Sequence, residues 1–154
     1  MYLNKAFFLF RKLFWTFARK KLIVGKNVSF SSNTFFSNKG TITIGDNFYC
    51  GPGCYFSADL KIGENVLFGA NCAVVGGDHK IDNISTTIFA SGRDELKPTI
   101  IESDVWVGHG SIILHGVTIK SGTVIGAGSV VTKSTKANEI IAGNPAQHIR
   151  YRNV

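Results

Sequence analysis

The sequence predicts an all-β fold, a parallel β-helix wound as a three-sided prism, and three observations predict it. An apolar residue recurs at every sixth position, a small residue, often Gly, tends to follow it, and the fourth residue after it is mostly compact. Side chains on one face repeat about every 2 residues in a strand and about every 3.6 in a helix. A period of six therefore describes short strands divided by tight corners. Three such hexads close one coil. The apolar residue points into the prism, and Gly or Asn beyond it accepts turn conformations that β-branched side chains resist. Coils stacked at the ~4.8 Å spacing of paired strands must pair in parallel, so about five of them make a prism roughly 24 Å long.

The elements follow in chain order. Leu3, Phe7, Phe10, Phe14 and Phe17 recur at helical spacing with Leu13 alongside, and basic residues fall between or beyond them, which predicts a basic amphipathic helix within residues 1–23. Such a helix attaches to an anionic membrane face, or it caps the open prism end or a neighbouring subunit; the sequence supports both. Arg11 and Lys12 interrupt the apolar run well short of the ~20 residues of a spanning helix. No small-residue cleavage site follows, so no signal peptide is expected. The β-helix proper spans residues 24–136. Val24 and Phe30 begin the repeat; Ile44, Cys50, Phe56, Ile62, Phe68 and Val74 continue it; Ile101, Val107, Ile113, Ile119, Ile125 and Val131 resume it. A two-residue phase slip around Asn38 to Thr43 reads as a corner bulge. From Val74 to Ile101 the spacing is 27, and the polar segment at about 80–99 reads as a loop thrown out of the prism. Residues 137–154 form a C-terminal cap or tail.

The net charge of +7 is local: Lys5, Arg11, Lys12, Arg19, Lys20 and Lys21 hold six of the seven charges, and the remaining body is almost neutral. General nucleic-acid binding needs a basic face across the fold, so it is excluded. Cys50, Cys54 and Cys72 fall in apolar or compact slots of the repeat, read as reduced, inert core thiols, and fit the cytoplasm.

Certain segments resemble a known family. Val105-Trp106-Val107-Gly108-His109-Gly110, Gly116-Val117-Thr118-Ile119, the run from Ile125 to Lys133 and Ala142-Gly143-Asn144-Pro145-Ala146 resemble the C-terminal half of hexapeptide-repeat acetyltransferases. These include sugar, surface-polysaccharide and xenobiotic acetyltransferases. The resemblance covers about residues 44–150. It implies a left-handed β-helix, although left-handed crossovers are the exception in parallel structures. It also implies a homotrimer with sites between subunits and acetyl-CoA as co-substrate.

Acetyl transfer to an alcohol needs a base for its proton and donors for the charge developing on the thioester oxygen. His79 ends Gly76-Gly77-Asp78-His79, where the prism gives way to the loop, and the family places its catalytic His at this junction. Asp82 or a backbone carbonyl is the candidate to orient its second nitrogen. By resemblance, Gly108 and the His109 amide lie at the thioester, Trp106 stands beside the site as a plate, and Ala127, Thr132, Lys133 and Arg150 meet the CoA arm or its phosphates. No metal is expected. The alternative metal site of His79, His109 and His115 needs ligands from several directions, because His109 and His115 occupy the same slot of consecutive hexads. His148 is expected as an exposed contact residue. The expected function is O-acetylation of a carbohydrate, with xenobiotic or amino-sugar acetylation, or a non-enzymatic trimer, as alternatives. Galactoside-type members hold the acceptor with a polar residue near Gly51-Pro52-Gly53; this sequence has none there.

Overall fold

Apart from the C-terminal hairpin, each strand of the prism is only two or three residues long because the chain must turn at every sixth residue, so its peptide groups bond to the coils above and below. The computed structural model of the protein describes residues 21–37, 40–57 and 59–153. The first face stacks β1 (Leu22–Val24), β4 (Ile42–Ile44), β7 (Leu60–Ile62), β10 (Thr99–Ile101) and β13 (Thr118–Ile119). On the second lie β2 (Ser29–Phe30), β5 (Tyr49–Cys50), β8 (Leu67–Phe68), β11 (Trp106–Val107), β14 (Val124–Ile125), β16 (Glu139–Gly143) and β17 (Ala146–Tyr151). The third holds β3 (Phe35–Phe36), β6 (Tyr55–Phe56), β9 (Ala73–Val75), β12 (Ile112–Leu114) and β15 (Val130–Val131). Neighbours pair in parallel throughout, except that β17 folds back antiparallel on β16. The architecture is the left-handed parallel β-helix of hexapeptide repeats.

Register confirms the period. Ile44 pairs with Ile62, and Cys50 with Phe68, each eighteen residues on. Leu22 instead pairs with Ile42, twenty residues on, so the phase slip is absorbed within one coil; residues 38 and 39 lie outside the described residues. Thirteen of the fourteen repeat positions are buried, and Val24, at the edge, is partly buried. Ile62 pairs with Ile101 across the extruded segment in the same register that joins Ile44 to Ile62. The loop thus interrupts the sequence of coils without interrupting their stacking. The helix expected within residues 1–23 lies, through residue 20, outside the described residues, and β1 begins at Leu22. Among the described residues no helix is long and apolar enough to cross a membrane.

The corners explain the recurrent Asn. At the corner between the first and second faces, Asn27, Asn47 and Asn65 take φ of 50, 56 and 59°, a left-handed conformation that Asn tolerates because its short polar side chain bonds locally. Their amides form a ladder, Asn27 Nδ2 to Asn47 Oδ1 and Asn47 Nδ2 to Asn65 Oδ1, both 2.9 Å. Asn47→Ala loses both ladder bonds and meets the left-handed penalty, an expected cost of about 1–2 kcal/mol. Asn47→Gly loses only the ladder and is expected to cost about half as much. Urea midpoints of the two variants check the order.

Candidate active site

The two ends of the extruded loop leave the prism side by side at the corner between the third face and the first, so their backbones meet. Asp94 N donates to Asp78 O (2.8 Å) and Lys80 N to Gly92 O (3.1 Å), with His79 opposite Arg93 in a short antiparallel bridge. The Arg93 guanidinium donates to the Gly77 carbonyl, and Ser91 Oγ to the Lys80 carbonyl at 2.6 Å. This clasp fixes the backbone of His79 at the loop root. The His79 side chain is partly buried, and its Nδ1 is buried with no hydrogen-bond partner among the described residues. Asp82 therefore does not bond Nδ1 here; it is exposed on the loop, where it lines an open depression with Lys80, Ile81, Asn83 and Asp94.

His115 occupies the same corner one coil further. Its Nδ1 accepts from Lys97 N at 3.1 Å, and its Nε2 lies 3.7 Å from the Asp78 carboxylate. It touches both strands of the loop root, a role that sequence reading missed. The signal was weak: only contact between coils, not spacing, distinguishes His115 from any other corner residue. Gly76 packs so closely on it that an added Cβ would stand 2.8 Å from the His115 Cβ.

Gly108, His109 and Ala127 gather at a different corner, between the second and third faces. Gly108 must be glycine, since a Cβ there would lie 2.6 Å from Ala127 N and 2.7 Å from Ile125 O. Gly108 N donates to Ile125 O, Gly110 N to Ala70 O, and the His109 carbonyl accepts from Gly128 N. The His109 amide stands outside this ladder. Trp106 presents its ring outward from β11 on the second face, 55% exposed. Thr132 and Lys133 follow β15, exposed, at the corner that carries the loop two coils earlier.

Arg150 lies on β17, exposed, with Nη1 donating to the Tyr151 carbonyl at 3.0 Å. Its hairpin is anchored by Glu139, a buried carboxylate that accepts from Lys136 N at 2.7 Å and meets His148 Nδ1 at 2.8 Å. His148 is thus exposed, as expected from sequence, but paired.

One chain therefore brings Gly108, His109 and Ala127 together, and holds His79 apart from them across the width of the third face. His109 and His115 stand at different corners. The three cysteines are buried and free. Contact with the Cys50 thiol, with burial, pushes the Cys54 thiol up to about 12, and contact with Cys54, with burial, raises Cys72 as well. Thiols held protonated in this way are poor nucleophiles.

Comparison with known proteins follows the same regions. The family described as bacterial transferase hexapeptide (six repeats) matches residues 98–133, and that described as hexapeptide repeat of succinyl-transferase matches residues 59–77. Galactoside O-acetyltransferase of Escherichia coli is 35% identical over 129 residues, covering 82% of this chain and 62% of that protein. A maltose O-acetyltransferase structure from Clostridium difficile is 31% identical with a TM-score of 0.71, covering 88% of this chain and 72% of that one. A galactoside acetyltransferase solved with coenzyme A is 34% identical with a TM-score of 0.79, covering 87% of this chain and 67% of that one. The chain spans between 52 and 62% of the length of the curated relatives it matches first.

Proposed function

The chain belongs to the hexapeptide-repeat acetyltransferase family, and on that premise we propose that it transfers an acetyl group from acetyl-CoA to a hydroxyl of a carbohydrate. The observation that carries this reading is the pair of fixed features at neighbouring corners: a histidine clasped at the loop root, and a Gly108–His109 corner whose amide the stacking ladder does not use. Neutral imidazole suits the base at neutral pH. His79 Nε2 takes the proton of the acceptor hydroxyl as its oxygen attacks the thioester carbon. The His109 amide holds the charge on the carbonyl oxygen, and the proton passes from His79 to the departing CoA sulfur. Direct attack in a ternary complex needs no enzyme nucleophile, and the raised thiols of Cys54 and Cys72 agree with that. Most of the acceleration then comes from positioning.

Because the third face separates His79 from His109 within one chain, the site is proposed to form between copies of a homotrimer, one lending its loop root and the next its Gly108 corner. Ala127 and Gly108 then line the pantetheine arm, Trp106 flanks it, and Thr132, Lys133 and Arg150 meet the CoA phosphates, where exposed cations are expected. Asp82 belongs to the acceptor side of the loop. A surface-polysaccharide sugar or its lipid-linked precursor is the proposed acceptor, which gives membrane contact through residues 1–21 a purpose.

Thiol release from acetyl-CoA, followed with a panel of mono- and oligosaccharides, tests the reading. Release that depends on a sugar, together with an acetyl ester recovered on that sugar, is the expected result. Release independent of every sugar, or acetylation confined to amino groups, would count against it.

A further inference from the structure

A column of small polar side chains runs up the inside of the prism. Two residues before each buried apolar position of the third face stand Thr34, Cys54, Cys72, Ser111 and Ser129, all buried. A hydroxyl or thiol enclosed by Phe, Ile and Val must find an acceptor. Each finds the same kind of atom, a carbonyl at the corner between the second and third faces. Thr34 Oγ1 donates to Ser31 O (2.8 Å), Cys54 Sγ to Gly69 O (3.2 Å) and Cys72 Sγ to Gly108 O (3.1 Å). Ser111 Oγ and Ser129 Oγ both donate to Gly126 O, at 2.9 and 2.6 Å.

The consequence follows from the planarity of the peptide. In a trans peptide the C=O and the next N–H point in opposite directions, so a carbonyl held toward the interior turns the following amide toward solvent. The residues that follow these carbonyls are Ala70, His109 and Ala127 in successive coils. The carbonyls of Ala70 and His109 join the stacking ladder, through Gly110 N (2.9 Å) and Gly128 N (2.8 Å), while the three amides donate to no backbone carbonyl among the described residues.

We propose that Cys72 is a positioning residue for acetyl transfer: its buried thiol holds the Gly108 carbonyl inward and thereby aims the His109 amide at the thioester oxygen. The inference rests on the acetyl-transfer reading and deepens it. Gly108 O also accepts from Ser111 N, at 3.3 Å. That longer bond alone would leave the peptide plane freer to rock. Contact with Cys54, with burial, raises the Cys72 thiol, which therefore stays a donor.

Cys72→Val keeps an apolar side chain of similar size and removes the donor; Cys72→Ser restores a donor of the type that Ser111 and Ser129 already use. Thr34→Val is the matched control: it removes the hydroxyl that donates to Ser31 O, two coils away at a corner that serves no proposed contact. Misaiming an oxyanion donor should cost less than the ~10²–10³-fold of removing one. We expect Cys72→Val to lower kcat about tenfold with the acetyl-CoA KM within about twofold, and Cys72→Ser to recover to within about twofold of wild type. Thr34→Val should lower thermal stability by a similar amount yet keep wild-type kcat. Unchanged kcat in folded Cys72→Val, or equal losses in the two valine variants, overturns the proposal.

A second measurement needs no turnover. The S–H infrared stretch lost in Cys72→Ser should lie at the lower frequency of a hydrogen-bonded thiol; a free-thiol position overturns the proposal even in an active enzyme. Wild-type protein that acetylates no sugar sinks the acetyl-transfer reading and the thioester role with it, while the S–H band still decides whether Cys72 sets the Gly108 carbonyl.

Discussion

His79→Gln is expected to lower kcat for transfer to a sugar by about 10²–10⁴-fold while leaving the acetyl-CoA KM near its wild-type value. Glutamine fills a similar volume and still forms hydrogen bonds, but it cannot take a proton from the attacking hydroxyl. The backbone bridge to Arg93 and the bonds of Asp78, Lys80 and Asp94 do not involve the imidazole, so the loop root should survive the exchange. The split between kcat and KM is therefore diagnostic. By proposal CoA is held by the Gly108 corner, Thr132, Lys133 and Arg150, contacts that the exchange at His79 leaves in place. Thiol release under saturating acetyl-CoA, with the melting temperature as a control on folding, makes the measurement. Transfer at the wild-type rate would remove His79 as the base and turn attention to the neighbouring histidine, His115.

The largest stability effect is expected one coil away, inside the prism, where Phe56 pairs with Val74. Phe56 is fully buried among Phe36, stacked at 5.1 Å, and Phe48 and Phe68, at 6.3 and 5.4 Å. Phe56→Ala should cost about 3–5 kcal/mol, since truncating a buried ring loses its transfer energy and leaves a cavity that stiff backbone coils cannot close. Each coil touches only its neighbours, so the loss weakens two interfaces at once. Phe56→Leu retains most of the volume and should cost about 1–2 kcal/mol. Urea unfolding of the two variants checks both values. A loss below about 1 kcal/mol for the alanine would mean that the aromatic cluster repacks.

The repeat was legible in the sequence because one period governs inward-facing side chains and corners together. Fixing Ile44, Ile62 or Ile125 as inward also fixed where Asn47, Asn65 and Gly128 had to turn, and φ is positive at all three. The loop was legible as a failure of that period, and His79 as the residue at the point of failure. Its far boundary was less so: Thr99, read as the end of the loop, already pairs with Leu60 at the start of β10. The hairpin of β16 and β17 was hidden because it obeys a period of two, although the turn residues Gly143-Asn144-Pro145 between Ile141 and Ile149 were a usable signal. What the sequence withheld were contacts between coils. Cys72 reaches Gly108 across 36 residues and Lys97 reaches His115 across 18. No local pattern distinguishes a thiol that orients a peptide from one that merely fills space.

The unbroken register of Ile62 with Ile101 across the extruded segment has an evolutionary corollary. A corner that accepts some twenty additional residues without disturbing its neighbours decouples two kinds of selection. Changes between Ile81 and Phe89, whose side chains are largely exposed, leave the folding of the prism untouched. Under the proposed function, acceptor preference can then drift, lengthen or be exchanged between lineages at this one position, while the coils beneath it continue to be selected for fit and for the Gly108 corner they carry.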